Sequence, residues 1–329
     1  MYFTKVILIF LFTIFTNVSF ASTSIGKDSH LYPIMVDIRH KKYDEAMAKL
    51  EPYAQKGDAE ALFWYGYMKQ QNFGRDRYTA YRWFEKAAEL GNPYAMYKLS
   101  GDADNSGISE VCDINGWPCS GHRFEEAMDK WKDLAKKGDI KANYIYRLKN
   151  RSFFVRFYEN ESGKSLEKMV AACRNGYCQP IVRTLRRLSM KSLENMNEGF
   201  GEAIMELEKY DPAILEARAV FFAKDLNKQE RVSMLDSSLR KGYYKAGVSL
   251  FNLAISESLV SMEDAYVYGR VAELGKYKDG ISSYLIENKL VSQQKVPELE
   301  KKAQEFFDNI EHVINFDEMD FMYMFRPDV

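Results

Sequence analysis

The chain has 329 residues, of which 46% are hydrophobic and 14% aromatic, a composition typical of folded proteins and not of disordered ones. Its 46 basic and 47 acidic residues leave a formal net charge of −1. Nucleic-acid binding requires a clustered basic surface, and this balanced charge gives it no support.

The first residues have the pattern of an export signal. Lys5 precedes an apolar run over residues 6–15, and Ser19 and Ala21 place small residues at the −3 and −1 positions of a cleavage site. We therefore expect residues 1–21 to be a signal peptide and the mature protein to be periplasmic, with secretion as the second choice. The alternative is a retained N-terminal anchor, which the short apolar run disfavours.

After a lead-in over residues 22–42, a short pattern recurs along the chain: Ala-x-x-aromatic-x-x-x-Ala-(Ala)-x-x-Gly, with Ala four residues later. Its clearest copy is residues 80–91, followed by Ala95. A pattern that recurs in this way is typical of stacked helical hairpins. Lys209 replaces the Gly in one degenerate copy. The other copies carry it at Gly57, Gly91, Gly138, Gly176, Gly242 and Gly275.

The pattern also predicts the local structure of each copy. Ala80, Phe84 and Ala87 share one helix face, where small Ala side chains let a second helix approach closely. Gly91 can end the first helix in the left-handed conformation, and Asn92 can cap the second helix. Asp takes the same capping position in two other copies.

This pattern resembles the Sel-1-like repeat, a relative of the tetratricopeptide repeat. The resemblance is strongest at residues 46–57, 80–91 and 127–138 and weaker in the later copies. Together with the hairpin pattern, it predicts a right-handed all-α solenoid of about seven helix-turn-helix repeats over residues 43–290.

The resemblance implies a curved surface that binds a protein partner and catalyses no reaction, with the first helices on the concave side. Exported Sel-1-like proteins resemble antagonists of phospholipase effectors delivered by type VI secretion. The sharpest hypothesis is therefore an immunity protein that occludes a lipase-type toxin. A cell-envelope or host-contact scaffold is the second hypothesis. The third is an enzyme acting on cell-wall material or β-lactams, an activity suggested for some cysteine-rich relatives.

The chain contains four cysteines: Cys112, Cys119, Cys173 and Cys178. An even number in an exported protein favours disulfides, and more than one pairing is possible. We favour 112–119 with 173–178, because short loops close most easily. The first pair lies in an insert, about residues 101–121, that is rich in turn-forming residues. The spacing is not that of zinc ligands, and no metal or cofactor is expected.

Residues 291–329 are expected to close the solenoid. Residues 297–313 predict one amphipathic helix that caps the last repeat, as solenoids require. Residues 316–325 mix acidic with aromatic side chains. They form either a packed terminal segment, which we favour, or a contact arm.

Enzyme signatures are scarce. No HExxH or GxSxG motif is present. Residues 163–165 are Gly-Lys-Ser, as at the end of a phosphate loop, but the position five residues earlier, where the loop requires Gly, is Tyr158. Ser165 and Lys168 match the SxxK nucleophile motif without its SDN or KTG companions, and Ser165 more naturally caps a helix. We expect no catalytic residues, since an enzyme would need a cleft around Ser165.

Candidate partner-binding residues lie in two places. Residues 147–158 mix basic with aromatic side chains, the types that dominate interface hot spots. The alternative is an irregular helix whose Phe side chains, Phe154 among them, belong to the core. Trp117, in the cysteine-bearing insert, is the second candidate. The residues predicted to bind a partner are Trp117, Arg147, Arg151, Phe154, Arg156 and Tyr158.

Overall fold

The computed structural model describes residues 28–71, 75–101, 112–113, 115–150, 164–187, 198–314 and 318–319. Over these residues the chain is all-α, with no β strand. None of the helices in these ranges combines the length and the apolar character needed to cross a bilayer. The expected signal peptide lies outside the described residues.

The helices form consecutive pairs, as the repeat pattern predicts, and the all-α solenoid fold is confirmed. The pairs in the described residues are α2 (Tyr43–Gln55) with α3 (Ala59–Gln71), α5 (Tyr81–Glu89) with α6 (Pro93–Lys98), α7 (His122–Lys136) with α8 (Ile140–Lys149), α9 (Lys164–Arg174) with α10 (Gln179–Arg187), α11 (Glu198–Leu207) with α12 (Pro212–Phe221), α13 (Lys228–Arg240) with α14 (Lys245–Glu257), and α15 (Met262–Leu274) with α16 (Ile281–Glu287).

The remaining helices flank or join these pairs. Helix α1 (Tyr32–Arg39) precedes the first pair, and α4 (Arg75–Thr79) lies between the first two pairs. Helix α17 (Val296–Asp308) follows the last pair and packs against α15. It is shorter than the predicted helix over residues 297–313, because the chain after Asp308 leaves the helix to contact other parts of the molecule.

Stacking joins each pair to its neighbours. Helix α3 packs on α5, α6 on α7, α8 on α9, α12 on α13 and α14 on α15. The pattern Ala side chains make this approach possible, and Ala46, Ala61, Ala80 and Ala95 are each 0% exposed. The buried side chains form two clusters, one over residues 31–145 and one over residues 170–310.

The turn between the two helices of a pair follows the predicted design at most copies. Gly91 has a φ of +88°, a backbone conformation that is strained for residues with a side chain. The Asn92 side chain accepts hydrogen bonds from the backbone N–H groups of Tyr94 and Ala95. The last copy differs, because Gly275 has an ordinary φ of −72° and Lys276 takes the left-handed conformation instead. Gly275 is needed there for space, since a Cβ atom would lie 2.4 Å from the Tyr244 ring.

Two local disulfides are present, Cys112–Cys119 and Cys173–Cys178. Both sulfur atoms of the second bond belong to buried residues, which flank the turn between α9 and α10. This bond therefore ties the end of one helix to the start of the next.

Candidate protein-binding site

Trp117, one of the residues predicted to bind a partner, is buried and not exposed. Its side chain is only 6% exposed, its ring centroid lies 5.6 Å from that of Phe84, and its indole N–H donates to the carbonyl oxygen of Arg77 at 3.2 Å. The turn formers around Trp117 suggested an exposed loop. The ring instead packs on the second repeat, so Trp117 holds the insert against the solenoid.

The other predicted contacts divide between described and undescribed residues. Arg151, Phe154, Arg156 and Tyr158 lie outside the described residues. Arg147 is exposed near the end of α8.

A cleft of about 130 Å³ lies between parts of α8 and α9, and Arg147 lines it. Its walls combine apolar side chains with polar ones. Ser165 and Lys168, the residues of the SxxK motif, also line it, and Ser165 is the second residue of α9 and not its cap. The full lining is Ile140, Asn143, Tyr144, Arg147, Leu148, Ser165, Lys168, Ala171, Ala172 and Asn175.

The chemistry of this cleft suits side-chain recognition. Its volume is well below the roughly 300–1,000 Å³ of pockets that enclose whole small molecules. An apolar side chain of a partner can enter it while a carboxylate pairs with Arg147, the combination typical of interface hot spots. The described residues contain no grouping of His, Cys, Asp and Glu able to hold a metal ion.

A second polar centre lies at the turn edge of the solenoid and contains a buried ion pair. Lys141, near the start of α8, is 1% exposed and pairs with the carboxylate of Glu318, which is 3% exposed. The Lys141 Nζ lies 4.5 Å from the ring centroid of Tyr94 and 5.8 Å from that of Tyr177. Burial, followed by the charge of Glu318, raises the pKa of Glu60 to about 8.

A third polar cluster joins the two ends of the described chain. His40 Nε2 lies 2.9 Å from the Tyr244 hydroxyl, which lies 3.0 Å from His312 Nδ1. The Tyr32 hydroxyl donates to the carbonyl oxygen of His312. Burial, then the charges of His312, Arg39 and Lys42, lower the pKa of His40 to about 4, while Asp37 opposes the shift. Burial also raises the pKa of Tyr244.

Sequence reasoning missed the last two centres, although one of them carries a repeat-level signal. Three residues after the turn Gly, the repeats have Glu60, Tyr94 and Lys141. Opposite charges at one repeat position are a sign that the position faces a common neighbour. The His40 cluster has no comparable signal, because His40 and Tyr244 are 204 residues apart.

Comparison with known proteins adds little to this picture. No family model matches the chain, and no curated protein matches it. One similar solved structure is c5321, a protective antigen present in uropathogenic Escherichia coli strains and described as displaying an SLR fold. The match has 17% identity and a TM-score of 0.29, and it covers 84% of this chain and 52% of that one. This chain therefore spans about half the length of c5321, and such low similarity carries no argument about function.

Proposed function

We propose that this chain is an exported, non-enzymatic solenoid that binds a protein partner, with the cleft between α8 and α9 at the centre of the binding surface. The observation that carries the proposal is the position of Arg147, which is exposed and lines a cleft between two consecutive repeats. Two disulfides fit an oxidising compartment, where a secreted or periplasmic partner would be met.

The finer form of the proposal is an immunity protein. In this form the solenoid clasps a lipase-type toxin delivered by type VI secretion and blocks access to its active site. The support is the resemblance to exported Sel-1-like antagonists, together with a binding surface that needs no cofactor. The alternative within the same class is a cell-envelope or host-contact scaffold.

Affinity capture tests both forms. The bait is the mature chain, presented to periplasmic extract and to the secreted effectors of a competitor, with identification by mass spectrometry. We expect a single tight lipase-type partner whose toxicity is neutralised on co-expression. Recovery of envelope-assembly proteins alone, without protection, would contradict the immunity role and leave the scaffold.

The contribution of the cleft is tested by Arg147→Ala. Loss of a hot-spot arginine costs about 2 kcal/mol or more, so binding of the captured partner should weaken at least about 30-fold, as isothermal titration calorimetry would show. Arg82 is another exposed arginine, on α5, and Arg82→Ala is the matched control. Equal affinities for the wild type and Arg147→Ala would remove the cleft from the proposal.

The cleft also keeps an enzyme as a second candidate, because it brings Ser165 and Lys168 to one surface. Acyl transfer at Ser165 would give hydrolysis of a chromogenic β-lactam or of cell-wall fragments. We expect no turnover by the wild-type chain. Hydrolysis that disappears in Ser165→Ala would overturn the non-enzymatic proposal.

A further inference from the structure

The C-terminal segment, residues 310–319, connects the two core clusters. Ile310 is 7% exposed and belongs to the second cluster. The backbone N–H of Glu311 donates to the carbonyl oxygen of Arg240 at 3.1 Å. Ile314 and Met319 then pack against the first cluster. The described parts of this segment, 310–314 and 318–319, thus run from one half of the solenoid to the other.

The start of the segment is closely fitted at Gly242. A Cβ atom on Gly242 would lie 2.1 Å from the backbone oxygen of Glu311 and 2.9 Å from the backbone nitrogen of Val313. No side chain can be accommodated at that distance without moving the backbone of the segment. The turn at Gly242 therefore packs directly against the backbone of residues 311–313.

The far end of the segment enters a pocket formed by Lys141, Tyr94, Tyr177 and Glu60, here called the Lys141 pocket. The two aromatic rings face the ammonium group, at 4.5 and 5.8 Å from their centroids. Cation–π contacts of this kind stabilise a desolvated ammonium only in part. A buried ammonium still requires an anionic partner, which Glu318 supplies.

Among the described residues, two carboxylates lie near the Lys141 ammonium. Glu318 and Glu60 both influence this site, with Lys141 as the cation and Asp58 as a further nearby anion. Burial, followed by the charge of Glu318, raises the pKa of Glu60, while the charge of Lys141 lowers it.

We propose that the Lys141 pocket is a binding site for the carboxylate of an acidic peptide segment and that Glu318 occupies it as an internal ligand, which an acidic segment of the protein partner displaces. The inference rests on the proposed function as a protein-binding solenoid. The segment itself shows the chemistry that fits: around Glu318 the sequence reads Asp-Glu-Met-Asp at residues 317–320, an apolar side chain among carboxylates.

The internal ligand sets the affinity that an external one must exceed. A tethered ligand acts at an effective concentration in the millimolar range, so a free peptide of the same sequence competes poorly with it. Removing the negative charge of Glu318 should release the pocket and reveal binding from solution.

The test uses the full mature chain and a fluorescent peptide with the sequence of residues 310–320, with binding followed by fluorescence anisotropy. We expect the Glu318→Gln chain to bind the peptide at least tenfold more tightly than the wild-type chain does. Glu311→Gln, an acidic residue whose side chain is exposed on the same segment, is the matched control and should behave as the wild type. No gain in affinity for a folded Glu318→Gln chain would overturn the proposal.

Two further measurements separate the pocket from general loosening of the fold. The double variant Lys141→Met, Glu318→Gln should lose the gained affinity, and retained binding would place the peptide elsewhere. If Glu318→Gln fails to fold, hydrogen exchange of the wild-type chain decides. Amides of residues 311–314 that exchange faster than those of α8 support a displaceable segment, whereas exchange of both only by global unfolding overturns it. Because the probe is the chain's own sequence, this result is independent of whether a natural partner is captured.

Discussion

At the scale of single residues, two lysines are buried within the described part of the solenoid. Lys141 has a carboxylate partner and two aromatic rings around it. Lys98, in α6, is 1% exposed and lies 5.8 Å from the Tyr67 ring centroid, and burial lowers its pKa from 10.5 to about 7. Burial of Lys98 therefore opposes folding whenever the amine is charged.

Replacing this lysine by an apolar residue of similar length should flatten the dependence of stability on pH. The folded-state pKa of Lys98 lies below the unfolded one, so this residue makes wild-type stability rise between pH 7 and 10.5. For Lys98→Met we expect the free energy of unfolding to change less between pH 6 and pH 10 than it does in the wild type, because the titrating amine is gone. Urea denaturation at pH 6 and pH 10 measures the difference.

The matched control for this prediction is Lys132→Met, at an exposed position of α7. It should leave the free energy of unfolding nearly unchanged at both pH values. A Lys98→Met chain with the same pH dependence as the wild type would show that Lys98 does not contribute to stability changes over this window.

At the scale of secondary-structure elements, close approach between helices explains the small residues of the repeat. Gly66, in α3, faces α5, and a Cβ atom at this position would lie 2.9 Å from the Trp83 Cβ and 3.4 Å from the Ala80 carbonyl oxygen. Both neighbours are on or beside the backbone of the next repeat. They can move away only if the spacing between α3 and α5 increases.

Adding one methyl group at Gly66 should therefore separate two repeats. Overpacking costs about 1–3 kcal/mol, and the better helix propensity of Ala returns at most about 1 kcal/mol. We expect Gly66→Ala to lower the free energy of unfolding by about 1–2 kcal/mol, as measured by thermal or urea denaturation. Gly121→Ala is the control, since Gly121 has open space and an ordinary φ, and it should be nearly neutral.

The disulfide between α9 and α10 acts at the same scale. Its two cysteines are five residues apart, so the bond constrains only a short loop of the unfolded chain. The loop-entropy relation gives roughly 2 kcal/mol for a loop of this size. We expect Cys173→Ala, Cys178→Ala to lose about that much stability in urea denaturation. Reducing the wild-type chain breaks both disulfides. The loss of stability that remains after subtracting the contribution of Cys112–Cys119 should equal that of the double variant. No loss of stability in the double variant would mean that packing alone holds the turn.

Sequence patterns predict these elements well because the signals are local. A helix-ending Gly followed by Asn or Asp specifies both the stop and the restart of the backbone, and the degenerate copy at Lys209 still restarts at Asp211, which caps α12. The predictions that fail depend on distant contacts. After α17 the backbone N–H of Glu311 donates to the carbonyl oxygen of Arg240, and the Trp117 ring packs against Phe84. Neither partner is visible in the neighbouring sequence.

At the scale of the whole molecule, the main feature is the contact between the two ends of the part that the structure describes. Helix α1 and the residue after it meet Tyr244, Phe307 and His312, and the Arg39 guanidinium donates to the Gly275 carbonyl oxygen at 3.3 Å. His40 is central to this contact and 6% exposed. Its neighbours include the cations Arg39 and Lys42, the anion Asp37 and the titratable His312.

This cluster should make the protein acid-sensitive. The pKa of His40 is about 4 when folded and 6.5 ordinarily, so the unfolded state takes up a proton first and stability falls as pH decreases from 6.5 to 4. The lowered pKa of His312 acts in the same direction. We expect the melting temperature of His40→Gln to depend less on pH over this range than that of the wild type, as scanning calorimetry would show.

The control for acid sensitivity is His122→Gln, because His122 is exposed at the start of α7, away from the contact between the ends. It should keep the wild-type slope of melting temperature against pH. If His40→Gln also keeps that slope, the acid sensitivity belongs to His312 or to carboxylates elsewhere in the fold.

The meeting of the ends also changes how the array can come apart. In an open stack of repeats, the terminal unit is held by one interface, so unfolding begins there and spreads inward. Here α1 is held by α2 on one side and by the Tyr244 region on the other. Of the C-terminal segment, Ile310 packs in one core cluster and Ile314 and Met319 pack against the other. Fraying from either end must break two interfaces at once. Forms in which a terminal repeat has unfolded are thereby disfavoured, so the stacked repeats unfold together, whereas local release of the Glu318 contact leaves the stack intact.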